Sequence, residues 1–339
     1  MFGYQIVPDE WYKAIIKWWR TRHRFKIDKT WLCFATGVVP AVTCSIKRLT
    51  NVGDNVVVLT PVYDIFFHSI ENTGRHTLEC PLVYKYKKYS IDFEDLERKL
   101  SDENTTLLIL CNPHNPVGKV WSRQELAQIG ELCAKYGVTV LSDEIHCDLT
   151  EPGTNYVPFA SVSEVCKDIS VTAISASKAF NIAGLQSAAV FVPNQRLRNT
   201  VVHGLNSDEV AEPNAFACEA TIAAFNEGGE WLDELREYIS QNRKIVGEFL
   251  TKNLPKLKLV SQNATYLLWI DCSAVTNDAQ KLCDFIREKT GLYLSCGTKY
   301  RGNGNYFIRL NVACPKKTLL DGLNRLKQGI TQHTSQSKI

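Results

Sequence analysis

The sequence predicts an α/β fold with a large domain built on a mainly parallel sheet and a smaller α+β domain towards the C terminus. Short runs rich in Val, Ile and Leu alternate with amphipathic segments up to about Glu230. Strands that are apolar throughout and separated by helices are typical of parallel sheets covered on both faces. From Glu230 a long amphipathic segment continues without a neighbouring strand. This change of pattern predicts a domain boundary near Glu230.

The individual elements are predicted from the same patterns. In the large domain we predict strands at residues 55–59, 106–110, 138–141, 169–174 and 188–192, and helices at 39–49, 66–72, 122–136 and 194–205. In the small domain we predict a helix at 230–254, a strand at 265–270, a helix at 279–290, a strand at 306–311 and a last helix at 316–330. The predicted large domain is 31–229 and the small domain is 230–330. Residues 1–30 are expected to join the small domain, and residues 331–339 to form a polar tail.

The first predicted helix, at residues 11–24, carries an apolar stripe of Trp11, Ile15, Trp18 and Trp19. A stripe of this kind indicates a helix that docks on the body of the protein, which we favour over binding to a membrane surface. No run in the sequence approaches the ~20 apolar residues that span a bilayer. We therefore expect no membrane partner.

Composition narrows the class of protein further. The 339 residues are 45% hydrophobic and 22% charged, as in ordinary globular proteins. The formal net charge of +3 is too small to indicate a nucleic-acid partner. The 12 cysteines are dispersed and none falls in a Cys-x-x-Cys pair. This usage predicts reduced thiols in a cytoplasmic protein, and no metal site is expected.

Polar residues come after three of the predicted strands. Asn115 lies in a turn-forming stretch after the strand at 106–110, Asp143 comes after the strand at 138–141, and Lys178 comes after the strand at 169–174. Taken singly, each residue has a structural alternative, namely a turn, a helix cap or a surface lysine. Ligands of an open parallel sheet bind beyond the carboxyl ends of its strands. The joint placement of an amide, a carboxylate and an amine therefore predicts a site at that edge.

Four longer motifs carry a family resemblance. They are NPHNPVGKVW (112–121), SDEIHCDL (142–149), SASKAFNIAGLQ (175–186) and FIRLNVACP (307–315). Together they resemble the fold-type I enzymes that depend on pyridoxal 5′-phosphate (PLP), the aspartate aminotransferase superfamily. GVVPAV at 37–42, His after DEI and NIAGLQ after the lysine are similar to the MalY/PatB-type cystathionine β-lyase group. The resemblance spans residues 2 to about 330 and implies the PLP-dependent transferase fold, with a sheet of the seven-stranded type.

The resemblance also implies roles for single residues. Lys178 matches the lysine that holds PLP as a Schiff base and moves the Cα proton, and Asp143 matches the aspartate at the pyridine nitrogen. Asn115 matches the amide that contacts the phenolic oxygen, and Tyr63 matches the ring that stacks on the cofactor. His146 stands three residues after Asp143, where aminotransferases usually have Tyr, and it is also expected to bind the cofactor. The predicted catalytic residues are Lys178, Asp143 and Tyr63.

A phosphate site is predicted at residues 37–40, where Val38 and Val39 would begin a helix. Helix N termini bind anions through free N–H groups and the helix dipole, although a plain helix start explains this segment equally well. The resemblance adds Ser175 and Ser177 as phosphate contacts. It also matches Tyr4 to a tyrosine that reaches the phosphate of the neighbouring subunit. It thus implies a homodimer with shared active sites.

The resemblance assigns Arg309 to the α-carboxylate of an amino-acid substrate, which a guanidinium binds bidentately. From the segment alone, the alternative is that Arg309 lies in a strand and forms a salt bridge. The presence of His146, and of Gln186 eight residues after the lysine, agrees with the sequence pattern of the lyase group. We therefore expect carbon–sulfur β-elimination from sulfur amino acids such as L-cystathionine or L-cysteine, yielding pyruvate, ammonia and a thiol or sulfide. A class I/II aminotransferase and a PLP-bound regulatory protein without turnover remain the alternatives.

Members of the lyase group carry a further segment before the stretch that matches Phe2-Gly3-Tyr4, and that segment helps to wall the substrate pocket. Here the sequence starts at Met1. The resemblance therefore implies that the start is mis-assigned or truncated, or that the protein is defective.

Overall fold

A computed structural model describes residues 3–260 and 262–336. Residues 1–2 and 337–339, which belong to the predicted terminal segments, lie outside the described residues. The strands are β1 (Leu32–Ala35), β2 (Asn55–Thr60), β3 (His76–Pro81), β4 (Val83–Lys85), β5 (Lys88–Ser90), β6 (Thr105–Cys111), β7 (Thr139–Asp143), β8 (Ser170–Ile174), β9 (Ala188–Phe191), β10 (Lys258–Leu259), β11 (Leu267–Asp271), β12 (Ser295–Cys296) and β13 (Phe307–Asn311). The α-helices are α1 (Asp9–Arg22), α2 (Val38–Leu49), α3 (Ile65–Glu71), α4 (Phe93–Leu100), α5 (Arg123–Lys135), α6 (Glu164–Asp168), α7 (Gln195–Ser207), α8 (Ala217–Glu227), α9 (Gly229–Asn253), α10 (Ala279–Thr290) and α11 (Lys316–Gln336).

The central sheet of the described part has seven strands in the order β1-β9-β8-β7-β6-β2-β3. The pairs from β8 to β3 are all parallel, whereas β9 is antiparallel to both β1 and β8. The predicted α/β class and its mainly parallel sheet are thereby confirmed. Cys111 pairs with Asp143, and Asp143 pairs with Ala173. The carboxyl ends of β6, β7 and β8 therefore reach the same edge of the sheet.

Apolar side chains of the central strands point alternately to the two faces of the sheet. Val56 and Val58 belong to the core on the face of α2 and α3, and Val57 and Leu59 belong to the core on the face of α4 and α5. Because successive strand side chains point to opposite faces, a strand covered on both sides must be apolar at every position. This requirement explains the continuous apolar runs in the sequence.

The antiparallel sheet β10-β11-β13-β12 lies in the C-terminal third, with α9, α10 and α11 packed around it. The elements predicted there are present, but α11 continues past Ile330 to Gln336. The two-residue strands β10 and β12 were not predicted, because two residues carry no periodicity. The edge strand β3 was also missed, since its half-exposed side chains give no apolar run.

Helix α1 docks on the body of the protein, as predicted from its stripe. Trp11, Ile15, Trp18 and Trp19 are all buried. The indole Nε1 of Trp18 donates to Oδ1 of Asp148 at 3.0 Å, which ties the helix to the segment after β7. In the described part of the chain, none of the helices is both long and apolar enough to cross a membrane.

Candidate active site

A cavity of about 400 Å³ opens at the edge of the sheet where β6, β7 and β8 end. Most of the side chains predicted for the site line this cavity. They are Val38, Val39, Tyr63, Asn115, Asp143, His146, Ser177, Lys178 and Arg309. Eight of them come from the ends of strands of the central sheet, from the segments after those ends or from the start of α2, whereas Arg309 comes from β13 of the other sheet. The cavity therefore lies between the two sheets.

Lys178 enters the cavity from a tight turn after β8. The backbone N–H of Ser177 donates to Oγ of Ser175 at 3.0 Å, and that hydroxyl donates to the carbonyl of Ser187 at 2.6 Å. The amide of Phe180 donates to the carbonyl of Ala176 and closes the turn. These bonds fix the backbone around Lys178 and so restrict where its amine can reach.

Two residues predicted to contact phosphate do not line this cavity. Ser175 is buried in the turn, where its hydroxyl bonds the carbonyl of Ser187, next to β9. Tyr4 is fully exposed and stands away from the cavity of its own chain. The structure thus brings Ser177 to the cavity, but not Ser175 or Tyr4.

Asp143 is the last residue of β7 and is almost completely buried. Burial raises the pKa of its carboxyl to about 7, although the amide of Ile145, 3.1 Å from Oδ1, and the charge of Lys178 oppose the rise. A carboxylate in such a place is unstable unless a cation or a hydrogen-bond donor joins it. Asp143 is thus set up to bind a positively charged group in the cavity.

Arg309 and Asn115 meet across the two sheets. Nη1 of Arg309 donates to Oδ1 of Asn115 at 3.1 Å, and Nη2 donates to Oγ of Ser295 at 3.4 Å. The guanidinium also lies over the ring of Tyr300, 4.9 Å from its centre. Among the residues that the structure describes, no carboxylate pairs with Arg309, so the salt-bridge alternative is wrong. Its charge is available to an anionic ligand.

His146 and Tyr266 form one wall of the cavity, with their rings 6.0 Å apart in an edge-on arrangement. Burial lowers the pKa of His146 to about 3, and the charges of Lys178 and Arg309 act in the same direction. The imidazole is therefore neutral at physiological pH. Its Nδ1 is buried and lacks a hydrogen-bond partner among the described residues.

Helix α2 points its N terminus at the cavity. Gly37 is the N-cap and has no side chain to accept a hydrogen bond from the first turn. The N–H groups of Val38 and Val39 are therefore left for a ligand, and both residues line the cavity. A methyl group on Gly37 would lie 3.2 Å from Cδ of Pro40. The glycine thus avoids a tight contact with the ring of Pro40.

Three residues that were not predicted for the site also line the cavity, namely Tyr266, Cys111 and Asn311. Tyr266 precedes β11, and Asn311 ends the antiparallel neighbour β13. Their approach depends on the pairing of these two strands, which the sequence does not specify. Cys111 ends the apolar strand β6, where the pattern alone indicates a core residue.

Residues 2–326 match the family model for class I and II aminotransferases. The chain belongs to the class I and II aminotransferase family. Proteins named as lyases are among its relatives. Cystathionine beta-lyase PatB of Bacillus subtilis is 45% identical over 331 residues, covering 98% of this chain and 86% of the relative. Protein MalY of Escherichia coli is 32% identical, covering 97% of this chain and 84% of the relative.

Solved structures of similar proteins share the fold closely. Cystalysin from Treponema denticola, whose crystal structure contains a pyridoxal 5′-phosphate cofactor, superposes with a TM-score of 0.96 at 34% identity. The alignment covers 98% of this chain and 84% of cystalysin. The chain therefore has the fold of a PLP-containing protein, as the motifs implied.

Proposed function

We propose that this aminotransferase-family protein is a PLP-dependent carbon–sulfur β-lyase that releases pyruvate, ammonia and a thiol from sulfur amino acids. One observation carries the proposal. An amine, a buried carboxylate and an amide meet in one cavity with an arginine that has no carboxylate partner among the described residues. Relatives of the chain that bear lyase names cover nearly its whole length. These relatives favour elimination over amino-group transfer.

The cavity has the chemical groups that PLP needs. Asp143 suits a protonated pyridine nitrogen, because burial leaves its carboxylate in need of a cation. The free N–H groups of Val38 and Val39, with the hydroxyl of Ser177, suit the phosphate. Lys178 would supply the amine for the aldehyde group of the cofactor. The residues present thus fit the cofactor.

When bound, PLP supplies an electron sink for the pair left behind when Cα loses its proton. Arg309 binds the α-carboxylate of the substrate and fixes the orientation of Cα. Lys178 would take the Cα proton, and Asp143 would hold the negative charge that suits a protonated ring nitrogen. Tyr63, which lines the same cavity, would pack against the cofactor ring. Elimination would break the Cβ–S bond of the substrate, and the sulfur would leave as a thiolate. A thiol leaves readily because its pKa is about 8.5, far below that of an alcohol.

The test of this function measures three products together. Purified holoenzyme is incubated with L-cystathionine or L-cysteine, with and without a 2-oxo acid, and pyruvate, ammonia and thiol or sulfide are followed. We expect pyruvate and thiol or sulfide in equal amounts, with no need for the oxo acid. Amino-group transfer that requires the oxo acid, without thiol release, would identify an aminotransferase instead. Cofactor binding without either reaction would identify a regulatory protein.

We expect Arg309→Lys to raise the KM for the amino acid about 10²-fold while kcat changes much less, because one bidentate charge-assisted pair is lost. Steady-state rates over a range of substrate concentrations measure the two constants. Arg287→Lys is the control, since Arg287 lies over the ring of the exposed Tyr293, outside the cavity. An unchanged KM in Arg309→Lys would remove Arg309 from the substrate site.

The raised pKa of Asp143 predicts how the stability of the cofactor-free protein depends on pH. Folding favours the protonated form of Asp143. Its contribution to the free energy of unfolding is therefore complete below the unfolded-state pKa of 3.8, and it is lost as the pH rises through the folded-state pKa of about 7. Relative to Asp143→Asn, the wild type should therefore lose about 2–3 kcal/mol of unfolding free energy between about pH 5 and about pH 8. Urea unfolding of both proteins at several pH values measures the difference. If the free energies of unfolding of the two proteins changed with pH in the same way, the raised pKa of Asp143 would be contradicted.

The assembly and location of the enzyme are further parts of the proposal. A homodimer with shared sites is supported by Tyr4, which is exposed and stands outside its own cavity. Sedimentation of the holoenzyme tests the dimer, and Tyr4→Phe should weaken phosphate binding within it. A cytoplasmic location is supported by the free thiols of all 12 cysteines. The division into domains at residues 31–229 and 230–330 likewise stays a prediction.

A further inference from the structure

A histidine, a cysteine and an aspartate meet where α1 ends. His23 directly follows α1, and Cys147 and Asp148 lie in the segment after β7. Nε2 of His23 is 3.0 Å from Oδ1 of Asp148, although the two residues are 125 positions apart in the sequence. An imidazole nitrogen, the thiol sulfur and a carboxylate oxygen of the three residues all lie within 4.8 Å of one another. Because the two segments are so far apart in the sequence, no local motif predicts that these groups meet.

The spacing of these three atoms is close to that of ligands around one metal ion. Zinc lies about 2.0–2.3 Å from its nitrogen, oxygen and sulfur ligands, so a tetrahedral ion holds them about 3.3–3.6 Å apart. The 3.0 Å between the imidazole and the carboxylate is already near this value. The sulfur, which is within 4.8 Å of both, needs to approach by only about 1 Å. A mixed set of nitrogen, sulfur and oxygen favours zinc-like ions over magnesium and calcium, which prefer oxygen alone.

The three side chains line a cavity of about 750 Å³ that opens to solvent beside α1. This cavity shares no lining residue with the candidate active site. The side chains of His23 and Asp148 are only 6% and 4% exposed, so they lie in the wall of the cavity and do not project into water. Zinc sites with three protein ligands leave the fourth position to water. The cavity offers both a path for an ion and room for that water.

Neighbouring side chains hold two of the three ligands in place. The indole Nε1 of Trp18 donates to Oδ1 of Asp148 at 3.0 Å, which orients the carboxylate. The ring of His23 packs against Trp19 and Tyr156, with ring centres 4.8 and 5.1 Å away. Outer contacts of this kind orient metal ligands. Little conformational freedom is therefore left to lose when an ion binds.

The charges of the three groups also suit a divalent ion. A thiolate at Cys147 and the carboxylate of Asp148 together balance two positive charges, and the imidazole of His23 binds as a neutral ligand. The thiol releases its proton to solvent when it binds. Arg22, at the end of α1, donates two hydrogen bonds to the carboxylate of Asp233, so its charge is compensated. The occupied site thus carries no net charge, as a buried site requires.

A salt bridge between His23 and Asp148 is the alternative to a metal site, but it gives no role to the thiol beside it. We propose that His23, Cys147 and Asp148 bind one divalent transition-metal ion of the zinc type, which joins α1 to the segment after β7. The inference does not depend on the proposed lyase reaction, because the two cavities have separate walls. The ion links two distant segments of the chain, and its binding therefore stabilises the folded protein.

The experiment removes metals from the purified holoenzyme with a chelator and then titrates zinc chloride, while a fluorescent indicator follows the free zinc. We expect one zinc ion per chain to bind with a dissociation constant in the micromolar range or below. Zinc at about 100 times this constant should raise the Tm by about 4 °C, whereas magnesium at the same concentration should not. The absence of saturable binding at one ion per chain, or an equal rise in Tm with magnesium, would overturn the zinc site.

Two variants assign the ion to these residues. His23→Gln keeps a group that can donate to Asp148 but removes the imidazole, and Cys147→Ser keeps the size of the side chain but removes the thiol. Each should weaken zinc binding at least about 100-fold, because losing a ligand costs more than losing an outer contact. Circular dichroism shows whether each variant is folded. Full zinc affinity in either folded variant would place the ion elsewhere in the protein.

Cys33→Ser is the matched control, because Cys33 is a partly exposed thiol on β1 that does not line this cavity. It should bind zinc as the wild type does, and a loss of affinity equal to that of Cys147→Ser would overturn the assignment. All of these proteins carry the same cofactor, so zinc bound to PLP itself cancels in the comparison. Binding and Tm are measured without turnover, so a failure of the proposed lyase function would leave these results unchanged.

Discussion

Replacing Lys178 by Ala is expected to lower kcat by about 10⁴-fold or more and to abolish covalent attachment of PLP. Lys178 is proposed both to hold the cofactor and to take the Cα proton, and no other lysine lines the cavity among the residues described. Loss of the visible absorption band of lysine-bound cofactor, together with loss of pyruvate formation, measures the two effects.

Lys135→Ala is the control for this change, because Lys135 forms a salt bridge with Glu97 on the surface. The control should keep both the absorption band and the activity. Added methylamine tests the role more closely, since a small amine in the vacated space can take the Cα proton. Pyruvate formation by Lys178→Ala at the wild-type rate would show that another residue moves the proton.

The second large effect is expected for Asp143→Ala, with kcat lower by about 10²–10³-fold although Lys178 still binds the cofactor. The carboxylate stabilises positive charge at the ring nitrogen, and without that charge the ring accepts electrons poorly. Steady-state kinetics measures the loss, and the absorption spectrum of the bound cofactor reports whether the nitrogen has lost its proton.

Asp143→Glu should recover part of the activity, because it restores the charge at a changed distance. Asp321→Asn serves as the control, since Asp321 is an exposed partner of Arg325 on α11. A spectrum of Asp143→Ala identical to that of the wild type would place the ring nitrogen elsewhere in the cavity. Such a result would leave the buried carboxylate without its proposed role.

The positions of five strands of the central sheet and much of the site could be predicted from the sequence. Apolar runs marked β2, β6, β7, β8 and β9 because a strand covered on both faces must be apolar throughout. Neighbouring parallel strands bring the residues at and beyond their carboxyl ends to one edge of the sheet. Asn115, Asp143 and Lys178 were therefore expected together, and they line one cavity. The family motifs then indicated that the cofactor is PLP.

The sequence could not predict contacts that depend on how distant segments pack. The hydroxyl of Ser175 bonds the carbonyl of Ser187 within the turn, although the motif alone suggested a phosphate contact. The wall formed by Tyr266 depends on strand pairing between β11 and β13. No local pattern encodes either contact, because each partner comes from a separate part of the chain.

By itself, the sequence determined the class of fold, the apolar strands at the centre of the sheet and the residues that follow them, since these depend on local periodicity and motif. Only the tertiary structure decided that Arg309 contacts Asn115 across two sheets. Electrostatic interactions and hydrogen bonds act over a few ångströms in space. They are therefore fixed only when the fold has brought the distant parts of the chain together.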